Sequence, residues 1–251
     1  MKLAISGKGG VGKTTFSSLL IRTYNQLGKR VLAIDADPDA NLAAGLGIEN
    51  SDRIIPISDM KELVSERTGA QPGSMGGFFK LNPKVDDLPE ALSVTFENIK
   101  LMRLGGVKKG GAGCICPEST LLRALVMHIV LARDEVVVMD MEAGIEHLGR
   151  ATAKAVDKLI VVVEPGRRSI DTAEHIRKLA NEIGLDAIAV VGNKIRGPKD
   201  REFLQTHLND FEFLGFLPYD DTLIEADLNG ISPFDTDSPS KAEVNKMISE
   251  I

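Results

Sequence analysis

The run Gly7-Lys8-Gly9-Gly10-Val11-Gly12-Lys13-Thr14-Thr15 has the residue types and spacing to hold a nucleotide by its phosphates. Glycines let successive backbone N–H groups close around the β- and γ-phosphates, and a helix opening just behind them adds the positive end of its dipole. Lys13 supplies a point charge, and the Thr14 hydroxyl can ligate Mg²⁺. Such a loop works between a strand and a helix, and an apolar run at 3–6 and a helical pattern from 13 supply both. Gly9, Gly10, Val11, Gly12, Lys13, Thr14 and Thr15 are therefore the expected nucleotide contacts. Lys8 is a second lysine, unusually early in the loop.

Two acidic groups end apolar runs further on: Asp35-Ala36-Asp37-Pro38-Asp39, and Asp140 followed by Met141-Glu142-Ala143-Gly144. Strand ends of this kind form the ligand-binding edge of open α/β sheets. Mg²⁺ keeps several waters and needs only one or two nearby carboxylates, which Asp35 and Asp140 could provide, although each could also close a strand-end turn. Base identity has a separate clue. Asn193-Lys194 begins like the guanine-reading N-K-x-D, but Arg196 stands where the aspartate belongs. Without a carboxylate for guanine's N1–H and exocyclic amine, adenine is favoured, so ATP and ADP are the expected nucleotides, with Asn193 and Lys194 beside the base.

The two cysteines, Cys114 and Cys116, flank Ile115. Lys108, Lys109 and a run of glycines precede them, and Pro117 follows at the first position of a helix. A helix N-terminus and neighbouring lysines lower thiolate pKa values, which favours metal binding or redox chemistry. The residue before a proline is pushed towards extended backbone, so both sulfurs can project to one side. Two sulfurs do not close a Zn²⁺ site, and His128, His147, His175 and His207 have no ligand-like spacing. Two copies of the chain meeting about a two-fold axis would supply four thiolates, a set suited to Zn²⁺ or, in a flatter arrangement, Ni²⁺.

The spelling G-K-G-G-V-G-K-T-T resembles the deviant Walker A family of MinD, ParA, nitrogenase iron protein and the arsenite-pump ATPases, SIMIBI-type P-loop NTPases. That resemblance implies ATP hydrolysis in a nucleotide-sandwich homodimer, with Lys8 reaching the phosphates held by the facing subunit. It further implies that Asp37 positions the attacking water, that Asp35 and Asp140 hold Mg²⁺ through its waters, and that Asp140 to Gly144 is the D-x-x-x-G switch. Leu217-Pro218-Tyr219-Asp220 resembles the family's second segment around adenine, which puts Pro218 and Asp220 among the cofactor contacts. Together with the glycine-rich insertion and G-x-G-C-x-C-P-E, the pattern resembles the CooC accessory proteins, implicated in nickel insertion into carbon monoxide dehydrogenase. A metallochaperone delivering nickel or zinc to that apoenzyme, or to a related nickel enzyme such as acetyl-CoA synthase, is the implied function. A MinD/ParA-type positioning ATPase is the alternative.

Positioning these residues requires an α/β fold. Continuous apolar runs at 30–35, 135–140, 158–164, 186–192 and 213–217, besides 3–6, read as strands buried on both faces. Helical patterns at 13–26, 119–133, 169–183, 199–208 and 240–251 alternate with them, giving a doubly wound, mostly parallel sheet flanked by helices. The expected organisation is a single domain over 1–251 with a glycine-rich insertion at about 51–116, where a strand near 98–104 is the one clear element. No internal repeat interrupts this plan.

Composition narrows the partners. At 4% aromatic residues with no Trp, stacking platforms for bases are scarce, and a net charge of −6 repels nucleic acid and anionic membranes. Residues 235–251 carry two lysines against four carboxylates, the wrong sign for a lipid-binding tail. No run approaches the roughly 18 apolar residues of a membrane span. Met1 and Lys2 lead directly into the first apolar run with no targeting pattern, so a cytoplasmic protein is expected.

Overall fold

The computed structural model of the 251-residue chain describes residues 1–70, 79–105, 117–132, 135–142, 148, 153 and 155–251. In chain order the elements are β1 (Lys2–Ser6), α1 (Lys13–Gln26), β2 (Val31–Ala36), the one-turn α2 (Leu42–Gly45), α3 (Lys61–Thr68), α4 (Leu88–Leu92), β3 (Val94–Phe96), β4 (Ile99–Arg103), α5 (Pro117–Ala132), β5 (Val136–Met141), β6 (Lys158–Val163), α6 (Arg167–Ile183), β7 (Ile188–Ile195), α7 (Pro198–His207), β8 (Glu212–Pro218), α8 (Asp221–Leu228) and α9 (Ser240–Met247). Short 3-10 turns lie at Ser51–Arg53, Ile57–Asp59 and Pro233–Asp235.

The strands form one sheet in the order β3-β4-β2-β5-β1-β6-β7-β8, parallel throughout except that β3 runs antiparallel to β4. Every residue of β2 and β5 is buried, as two-sided coverage demands. Alternation along each strand sorts the core into two layers. Leu3, Ile5, Val31, Ala33 and Val138 pack with Phe16, Leu19 and Leu20 of α1 on one face. Leu32, Ile34, Val137 and Met139 pack with Leu122, Leu125, Val126 and Ile129 of α5 on the other.

The apolar runs of the sequence correspond to β1, β2 and β5 to β8, and the strand expected in the insertion is β4. The doubly wound α/β class therefore stands. The insertion holds more than its pattern suggested: α3, α4, β3 and two 3-10 turns. Arg67 of α3 makes a forked ion pair at 2.9 and 2.6 Å with Asp87, the residue that leads into α4. Helix α5 begins at Pro117, where the proline's missing N–H costs nothing. The last helix ends at Met247 rather than running to 251, and Val244 and Met247 are buried. Its apolar side is thus spent on the sheet. Among the described residues no helix is long and apolar enough to cross a membrane.

Two contacts fasten α1 and α2 to distant chain. The Arg22 guanidinium lies over the rings of Phe96 and Phe234, 5.0 Å from each centroid, and pairs with Glu97 at 3.0 Å. Ser232 donates its hydroxyl to the Gly45 carbonyl at 2.7 Å.

Candidate functional site

Strand order and register assemble the site before any side chain is considered. β1 sits between β5 and β6, so the chain leaves β1 in one direction and later returns to its other side, which opens a crevice at the carboxyl ends. Parallel pairing sets Ile5 beside Asp140 and Asp35 beside Asp140. The loop after β1 is thereby flanked by acids on one side and by the ends of β6 and β7 on the other.

The loop itself depends on glycine at two close approaches. At Gly7, with φ +148°, a Cβ would lie 2.3 Å from the Val162 carbonyl oxygen. At Gly12, φ +92°, a Cβ would lie 2.3 Å from Asn193 Nδ2. Gly12 also stands at the N-cap of α1 with no side-chain hydrogen bond, so this helix end offers its N–H groups to a ligand. Lys13 is only 7% exposed, and its ammonium is 3.9 Å from Asp37 Oδ2. Asp37 in turn accepts a hydrogen bond from the Asp39 N–H at 3.1 Å. The structure therefore brings Lys13 and Asp37 together in front of the loop.

On the β5 side, Asp140 accepts hydrogen bonds from Thr14 Oγ1 at 2.7 Å and Ser17 Oγ at 3.1 Å. Asp35 accepts from the backbone N–H of Leu42 at 3.1 Å and of Asp37 at 3.3 Å. Both carboxyls are buried. Burial pushes Asp35 up to about 7, with the Asp140 charge adding to the effect and the two backbone hydrogen bonds opposing it. Burial likewise pushes Asp140 up to about 6, against the pull of Thr14, Ser17 and the Lys13 charge. A hydroxyl and two carboxyls with raised pKa values make an all-oxygen donor set, short of positive charge, that fits Mg²⁺.

On the β7 side, Asn193 is turned towards the loop. Its Nδ2 donates to the Val11 carbonyl at 2.7 Å, and its Oδ1 accepts from the Lys194 N–H at 2.8 Å. Lys194, with a left-handed φ of +58°, donates from Nζ to the Gly10 carbonyl at 2.6 Å. Pro218 ends β8, and Asp220 caps α8 by accepting from the Thr222 N–H at 3.0 Å. Arg196, the residue that breaks N-K-x-D, lays its guanidinium 4.7 Å from the Tyr219 ring centroid.

Sequence reasoning missed Glu164. This residue follows β6 and binds both early-loop and β7 lysines: Lys8 Nζ is 3.4 Å from Oε1 and Lys194 Nζ is 3.0 Å from Oε2. Burial raises its carboxyl, but the hydrogen bonds and charges of Lys194 and Lys8 prevail and hold it below the usual glutamate range. A signal was available, since Glu164 ends its apolar run just as Asp35 and Asp140 end theirs.

Cys114, Cys116, Ala143, Gly144 and His147 lie outside the described residues. Among the described residues no cluster of His, Cys, Asp and Glu could hold a metal as a group of three or more.

Residues 2–234 match the CobQ/CobB/MinD/ParA nucleotide binding domain. The chain is 47% identical to the carbon monoxide dehydrogenase accessory protein CooC of Rhodospirillum rubrum, over 94% of this chain and 90% of that protein. It is 44% identical to an uncharacterized ATP-binding protein of Methanocaldococcus jannaschii, over 100% of this chain and 97% of that one. In fold it is similar to the septum site-determining protein MinD of Pyrococcus horikoshii complexed with Mg-ADP, with a TM-score of 0.68 and 21% identity over 99% of this chain and 94% of that one. The mostly parallel, helix-flanked sheet agrees with these likenesses, and the chain belongs to the CobQ/CobB/MinD/ParA nucleotide-binding domain family, as a P-loop ATPase of the MinD/ParA type.

Proposed function

We propose that this ATPase is a metallochaperone that dimerises on ATP, holds nickel or zinc through cysteines of both subunits, and serves maturation of carbon monoxide dehydrogenase. The observation that carries the reading is the 47% identity to CooC across nearly the whole chain. Cys114-Ile115-Cys116 adds a donor pair that becomes four thiolates in a dimer.

The residues divide the work as follows. Backbone N–H groups of Gly9 to Thr15 and the buried Lys13 ammonium take up phosphate charge, in a setting where little water screens them. Asp37, next to Lys13, orients the attacking water by accepting its hydrogen bond. Thr14, with Asp35 and Asp140 acting through water, would hold Mg²⁺, which supplies charge neutralisation on the phosphate oxygens. Asn193 and Lys194 hold the loop's carbonyls and, with Pro218 and Asp220, border the adenine. Lys8 reaches the nucleotide of the facing subunit and so makes hydrolysis depend on assembly. Nickel or zinc is cargo, bound at the cysteines and passed to the apoenzyme.

Equilibrium dialysis against Ni²⁺ and Zn²⁺ tests the reading. One metal per two chains is expected for the wild type, and none for a chain carrying both Cys114→Ala and Cys116→Ala. Equal binding by the two proteins would overturn it. Metal analysis of the dimer with and without ATP, read out by activation of nickel-free carbon monoxide dehydrogenase, tests the client.

A further inference from the structure

Glu164 stands at a junction. β6 lies between β1 and β7, so the carboxylate that follows it faces the loop after β1 on one side and the end of β7 on the other. Each oxygen takes one lysine, Lys8 on Oε1 and Lys194 on Oε2. Its backbone N–H donates to Ser169 Oγ at 3.0 Å, which fixes the turn into α6. The two lysines are held unequally. Lys194 is pinned a second time by the Gly10 carbonyl at 2.6 Å, whereas Lys8 is a third exposed and its contact with Glu164 is a long 3.4 Å.

We propose that Glu164 is a positioning residue that acts through Lys8: in the unassembled chain its carboxylate keeps the early lysine on its own subunit, and assembly on nucleotide takes that lysine away. The proposal rests on the sandwich-dimer reading above. One ammonium cannot serve the cis carboxylate and a facing phosphate group together unless both anions crowd the same point, which their mutual repulsion opposes. When Lys8 leaves, Glu164 keeps Lys194, so no carboxylate is stranded without a cation. The latch is therefore weak by construction and costs little to open, as expected of a partly exposed pair. It also protects against premature pairing, because an isolated loop lysine would otherwise attract any anionic surface.

Glu164→Gln keeps the shape and removes the charge. With a non-hydrolysable ATP analogue and Mg²⁺, sedimentation should show the variant dimerising about twofold to fivefold more tightly than wild type, the range that exposed ion pairs are worth. In ATPase assays, the protein concentration giving half-maximal specific activity should fall by the same factor. Glu164→Asp, which restores the charge, should return both values towards wild type. A purely structural carboxylate would instead show as weaker ADP binding and a lower thermal midpoint, with no gain in assembly. Unchanged or weaker dimerisation of the Gln variant, in a wild type that does dimerise, overturns the latch alone. A wild type that stays monomeric with the analogue overturns the sandwich reading and the latch with it.

Discussion

The two flanks of β1 solve the problem of gathering charge in opposite ways. Towards β5 and β2, Asp35 and Asp140 are buried on neighbouring strands at matching register, and burial leaves both carboxyls with raised pKa values. Towards β6 and β7, Glu164 is partly exposed, already neutralised by Lys8 and Lys194, and shifted the other way. The first flank is short of positive charge in a dry setting, so an incoming cation gains much there. The second sets two lysines around one carboxylate and is partly exposed, so one partner can be exchanged at small cost. One loop thus has a flank built to be completed and a flank built to be rearranged.

Substitutions can break or sharpen that contrast. The largest effect is expected from Lys13→Ala, which removes the buried cation: nucleotide affinity should fall about a hundredfold to a thousandfold in a fluorescent-ADP titration. Lys8→Ala, on the rearrangeable flank, should leave ADP affinity within about threefold yet lower turnover about tenfold to a hundredfold, the worth of one or two charge-assisted hydrogen bonds. An ATP-dimerising Lys8→Ala protein with full turnover would erase the distinction between the lysines. Ser17→Ala takes one hydrogen bond from Asp140 and should cost about 1 kcal/mol, a fall of about 2–4 °C in the thermal midpoint of the metal-free protein.

The smallest expected effect is a slope. A carboxyl whose folded pKa is raised contributes stability that is present below its unfolded value and lost as pH rises through the folded one. For Asp35 that window runs from the ordinary 3.8 to about 7. The midpoint of Asp35→Asn minus that of wild type, both without metal, should therefore climb across this window and level off above it. A flat difference would mean that Asp35 is not the strained member of the pair.

How much of this was legible in the residues follows from what each feature needs. The phosphate loop is written in glycines because backbone approach is its function, as Gly7 and Gly12 demonstrate with Cβ positions only 2.3 Å from other atoms. The doubly wound frame was legible because fully buried strands spell unbroken apolar runs. Asp35, Asp37 and Asp140 were legible as acids at the ends of such runs. The short elements α3, α4 and β3 were not, since a strand of three residues, Val94–Phe96, is too short to show a period. Helix α8 was hidden for another reason: Ile224 and Leu228 are exposed while Ala226 is buried, which inverts the pattern that marks an amphipathic helix. Glu164 was in plain view, but its role depends on two lysines 156 and 30 residues away in the chain, and spacing alone does not reveal such a meeting.

The hydroxyl of Ser232 on the Gly45 carbonyl ties two stretches of very different duty. Gly45 ends the turn of helix that follows the Asp37 segment. Ser232 comes directly after Ile231, which, like Ile224 and Leu228 of α8, is exposed. Because this tether is one hydrogen bond, and α2 is a single helical turn, a displacement of residues 37–45 must either drag Ser232 with it or release it. The hydrogen bond thus limits how far residues 37–45 can shift while staying joined to the chain at Ser232, a distance no longer than the reach of one serine side chain.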